Sequence, residues 1–66
     1  MRFVIRTVLP SGTLARSAST YPTLDEAIRE AGAQLTKGFA ADAWIEDENG
    51  VPAAGITEIK TKCGIG

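Results

Sequence analysis

The stretch TLDEAIREAGAQLTKG, residues 23–38, decides the fold. Leu24, Ala27, Ile28, Ala31 and Leu35 recur at spacings of three and four, which places them on one narrow apolar face of a 3.6-residue helix. Thr23 followed by Glu26 has the capping-box pattern, in which a hydroxyl and a carboxylate each satisfy a backbone N–H left free at a helix start. Asp25 and Glu26 sit where the helix dipole favours negative charge and Lys37 where it favours positive charge. Gly38 supplies the left-handed residue that ends a helix. Gly32 weakens the middle by about 1 kcal/mol relative to alanine, so the helix needs packing to hold it. Gly32 and the alanines also allow a sheet to approach closely.

Both flanks read as strands that need that helix as cover. Arg2 to Leu9 is β-branched and aromatic and runs into the turn Pro10-Ser11-Gly12. Phe3, Ile5, Thr7 and Leu9 share one side of it, and Val4 and Val8 share the other with Arg2 and Arg6. Thr13 to Ser19 returns as a second strand, making a hairpin about Pro10 to Gly12. Tyr21, held extended by Pro22, carries the chain to the helix at the sheet edge.

Beyond the helix, Phe39 to Asp47 alternates again, with Ala41, Ala43 and Ile45 facing one way and Asp42, Trp44 and Glu46 the other. Asp47 to Gly50 forms a turn, and Val51 onward is expected to run back as a fourth strand. Pro52 cannot donate to a ladder and Gly55 suggests a bulge, so this strand is expected either to lie at an edge early on or to pair mainly through Ile56 to Lys60. Thr61 to Gly66 is expected to be a flexible tail. The expected fold is one α+β domain over residues 1–66: ββαββ, with one helix on one face of a four-stranded, mainly antiparallel sheet.

With 66 residues, such a domain buries only about 60% of its unfolded surface, which makes association a natural remedy for marginal stability. There is no long apolar run and no leader pattern, so a cytoplasmic protein is expected, with no membrane partner. The single Cys63 cannot close an internal disulfide, which fits a reducing compartment. Charge is uneven along the chain. Residues 1–23 carry three arginines and no acid, residues 24–50 carry seven acids against Arg29 and Lys37, and the rest adds Glu58, Lys60 and Lys62. Solvated surface explains most of this charge.

Enzymatic chemistry lacks its usual parts. There is no histidine, so no Ser-His or Cys-His pair exists and metals lose their commonest nitrogen ligand. Cys63 lies near Lys60 and Lys62, but a lone cysteine of this kind is far more often inert than catalytic. The acidic turn fails as a calcium loop, because aligning Gly50 with the invariant loop glycine puts Ile45 and Ile56 at the terminal positions where carboxylates belong. Gly64-Ile65-Gly66 lacks the lysine and following helix of a phosphate loop. The expectation is a protein that is not an enzyme, with no catalytic residues, no metal and no cofactor.

Two groups remain. One helix covers one face of a sheet, so Val4, Val8 and Trp44 are expected to form an apolar interaction patch on the other face, unless a reversed or bulged register turns Trp44 into the core. That patch points to self-association as a homodimer, through the open face or an edge strand, or to another protein partner. The alternative uses Arg2, Arg6 and Arg16 on the same face, with Trp44 for stacking, as the minimum for gripping a nucleic-acid backbone. Three arginines in a chain of net charge −1 fall short of the basic stripe such a surface carries.

The T-L-D-E-A-I helix opening, with D-E-N-G after a tryptophan-containing strand, resembles small uncharacterised bacterial or phage ββαββ proteins. The Tyr21 to Leu35 segment is similar to the helix of HicB-type antitoxins, whose partial ribonuclease-H-like domain sets a helix on a small sheet. The Leu-Pro-Gly-Cys motif those antitoxins place before the helix is absent here, as is the third strand preceding it, and neither resemblance transfers a functional residue.

Overall fold

The computed structural model describes residues 1–65 and has the element order β1 (Phe3–Val8), β2 (Leu14–Arg16), α1 (Leu24–Thr36), β3 (Asp42–Asp47), β4 (Pro52–Ala54) and α2 (Ile56–Cys63). The strands form one antiparallel sheet in the order β2-β1-β3-β4. Each hairpin is set by its turn. Gly12 takes φ +90° and donates to the Leu9 carbonyl, while Leu9 N–H reaches Thr13. Gly50 takes φ +83°, and the Asp47 carboxylate accepts from the N–H groups of Asn49 and Val51.

Helix α1 begins and ends close to where its sequence places it. The Thr23 hydroxyl accepts from Glu26 N–H at 3.2 Å. At the other end Gly38 (φ +78°) donates to Leu35 and Phe39 donates to Gln34, the paired bonds that close a helix through a left-handed glycine. Lys37 is the C-cap, one residue past the last turn. Ala27, Ile28 and Ala31 are buried against Ile5, Ala43 and Ile45, and Leu24 and Leu35 pack at the margin. Tyr21 exchanges both backbone bonds with Phe3, extending the β2 flank by an isolated bridge. Burial, and then the Glu30 carboxylate, push the Tyr21 phenol above its usual range.

The C-terminal quarter departs from expectation. The fourth strand is only Pro52–Ala54, with a register irregularity opposite Ile45 and Glu46, and the expected strand from Ile56 to Lys60 is instead the first part of α2. Thr61 to Cys63 belong to α2, and Gly64 (φ +69°) and Ile65 close it by donating to Thr61 and Lys60, so the expected flexible tail is helix and helix cap through Ile65. Gly66 lies outside the described residues. Spacing explains the helix: Ile56 and Ile59 lie three apart, one turn along one face, and Ile59 is fully buried in the same cluster as Ile28, Ile45 and Ala54.

Two helices therefore share the cover, and both lie on the same side of the sheet. Gly32 is where they meet. A Cβ placed there would overlap Cys63 Sγ and come within 2.9 Å of Cys63 Cβ, so the close approach that Gly32 allows is to α2 and not to the sheet.

Candidate interaction surface

Strand pairing fixes which residues share the outward face. Thr7, Ile5, Ala43, Ile45 and Ala54 point to the helices. Their neighbours along each strand point away. Three cross-strand rows result: Leu14, Val8 and Asp42; Arg16, Arg6 and Trp44; and Val4 opposite Glu46 and Pro52. The hairpin closing at Leu9 and Thr13 sets the first row, so Leu14 belongs to this face although sequence reading did not single it out. Counting back from Pro10-Ser11-Gly12 pairs 8 with 14 and 6 with 16.

Trp44 lies away from α1, as alternation predicts, and is partly buried. Its indole Nε1–H donates to Glu46 Oε2 at 3.0 Å, and Arg6 Nη1 donates to the other oxygen of the same carboxylate at 3.3 Å. Glu46 thus lies on a face it shares with the indole and the guanidinium, and binds both. Among the described residues, Arg6 Nε is shut from solvent without a hydrogen-bond partner. Arg16 stands directly opposite Arg6, a like-charge pair that Glu46 offsets from the Arg6 side alone.

The expected patch of Val4, Val8 and Trp44 shares one face but not one exposure. Val4 is only 4% exposed with no helix above it, so it offers a partner almost nothing to touch. Val8 is partly exposed, and Leu14 beside it is 63% exposed. The accessible apolar surface is therefore Leu14, Val8 and the edge of Trp44, around Arg6 and Arg16. Phe39, also exposed, sits at the same end of the sheet, where Ala41 N–H bonds the Val8 carbonyl.

The three arginines do not gather as one group. Arg6 and Arg16 share a row with Trp44, whereas Arg2 turns to its own chain, donating from Nε to Thr20 Oγ1 at 2.5 Å and from Nη2 to the Thr20 carbonyl at 3.1 Å. Asp42 and Glu46 place negative charge on the same face.

On the opposite side, an open groove of about 570 Å³ runs between α1 and α2, lined by Asp25, Ile28, Arg29, Gly32, Lys62 and Cys63 among others. The Cys63 thiol donates to the Ile28 carbonyl at 3.4 Å, and Lys62 pairs with Glu58 at 3.8 Å. Among the described residues no three His, Cys, Asp or Glu side chains converge to hold a metal ion, and no helix is long and apolar enough to cross a membrane.

Comparison of the chain with protein-family models, with curated proteins and with solved structures returns no match.

Proposed function

We propose that this chain is a small non-catalytic contact module of the cytoplasm, self-associating through the uncovered face or an edge strand of its sheet. One observation carries the reading: α1 and α2 both pack on the face holding Ile5 and Ile45, leaving Leu14, Val8 and Trp44 on a face that neither helix covers. A small domain that leaves apolar side chains open on one side gains stability by closing that side against a partner. Light scattering after gel filtration tests it. The expected mass rises from one chain toward two with concentration, and the mass of one chain at every concentration overturns it.

A second reading draws on the row of Arg16, Arg6 and Trp44, which sets two guanidinium groups beside an aromatic ring. It makes the face a nucleic-acid-associated, antitoxin-like surface. Binding to single-stranded RNA or DNA that weakens steeply with salt supports this reading, and no binding at low salt removes it. Glu46, bonded to both Arg6 and Trp44, weighs against it.

A further inference from the structure

We infer that self-association runs through the free edge of β2, two copies pairing antiparallel about a twofold axis at Ala15. This rests on the edge-strand form of the self-association reading, adds the register, and leaves the Trp44 face open. The ladder supplies the first argument. Leu9 N–H bonds Thr13 and Ser17 N–H bonds Ile5, so in the alternating antiparallel pattern Thr13, Ala15 and Ser17 direct their backbone groups toward β1. Leu14 and Arg16 direct theirs the other way, to the outer edge, where no strand follows in the sheet order.

The two edges of the sheet are not equivalent. On β4, Pro52 has no N–H to offer, the register is irregular, and α2 begins two residues after the strand ends. Edges blunted in this way resist pairing. β2 is equally short and carries one charge, Arg16, but it holds no proline, its register with β1 is regular, and its Leu14 side chain is 63% exposed.

Charge and bond count then select the register. Centring the pair on Arg16 sets two guanidinium groups face to face. Centring it on Leu14 leaves Arg16 beyond the partner strand. Centring it on Ala15 pairs all of β2, sets each Leu14 against the aliphatic stem of the partner's Arg16, and closes four backbone bonds from the outward N–H and C=O groups of residues 14 and 16. The occupant is a second copy of this chain, because the pattern Leu-Ala-Arg complements itself in antiparallel. The two sheets become one, with all helices on one side and the two Trp44 faces continuous on the other.

Two variants test the edge apart from the self-association itself. Ala15→Cys in a Cys63→Ser background puts the two thiols across a non-hydrogen-bonded pair on the axis, within disulfide reach. Mild oxidation of the folded protein is expected to give a covalent dimer at least about tenfold faster than Ser11→Cys in the same background, whose thiol sits at the hairpin tip. Leu14→Pro removes an N–H that serves no bond to β1. Its circular dichroism is expected to match the parent while its dimer dissociation constant rises about tenfold or more, as the loss of two inter-chain bonds requires. If the parent dimerises but Ala15→Cys links no faster than Ser11→Cys, the edge assignment falls and self-association through the open face stands. A parent that stays monomeric removes both. Should Leu14→Pro unfold, the cross-linking comparison decides alone.

Discussion

The two faces of the sheet are built from the same strands, one residue out of step, and they bury their apolar groups by different means. On the helix side, Ile5, Ala43, Ile45 and Ala54 meet Ala27, Ile28, Ala31 and Ile59 in a close-packed cluster with small residues at the contacts. On the outward side neither helix packs. There Glu46 binds both the Trp44 indole and the Arg6 guanidinium, while Leu14 and Val8 stay open. The comparison teaches that the first face holds the fold and the second is available for contact.

That contrast breaks most visibly under truncation. Ile45→Ala, which empties a fully buried site between sheet and helices, is expected to cost about 2–5 kcal/mol in urea unfolding. Leu14→Ala on the open side is expected to stay within about 0.5 kcal/mol. Equal costs for the two would erase the distinction between the faces. Next in size is Gly32→Ala. Helix propensity favours it by about 1 kcal/mol, yet the added methyl group meets Cys63 Sγ and Cβ, so a net loss of about 1–3 kcal/mol is expected. A stabilised variant would mean that α2 does not lie against α1.

Much of this architecture is readable from the chain. The capping threonine, the face of α1, the two glycine turns and the opposite orientations of Trp44 and Ile45 all follow from local spacing. The second helix is not readable in the same way. Ile56-Thr57-Glu58-Ile59-Lys60 is dense in β-branched residues and follows a turn and a short strand, so hairpin logic carries it on as strand. Only the three-residue step from Ile56 to Ile59, the Glu58–Lys62 pair four apart and Gly64 as a terminator mark it as helix, and burial of Ile59 favours that answer. On the outward face the parity of Val4 is plain but its burial is not, since neither helix lies on that side. Leu14 escapes notice because a three-residue strand is too short to show an alternation of its own.

Smaller effects sharpen the account of the outward face. Glu46→Ala removes the acceptor for Trp44 Nε1 and Arg6 Nη1, and is expected to cost about 1 kcal/mol and to shift the tryptophan emission to the red as the indole loosens. Unchanged emission would show that the carboxylate does not hold the ring. The smallest effect concerns Tyr21, whose raised pKa means that the folded chain holds the phenolic proton more tightly than the unfolded chain does. That contribution is complete below the unfolded value, near 10, and is lost as pH climbs through the folded value. Tyr21→Phe is therefore expected to flatten the decline in stability between pH 9 and 11, and an unaltered decline would place its cause elsewhere.

The most direct measurement is a series of ¹H–¹⁵N correlation spectra recorded from dilute to concentrated protein. The account predicts shifts that move with concentration at Leu14, Ala15 and Arg16 on the β2 edge, while Ala27, Ala31 and Ile59 stay still; shifts centred on Val8 and the Trp44 indole instead would move the contact from the edge to the open face. Spectra that do not change, or changes confined to α1 and α2, would contradict it.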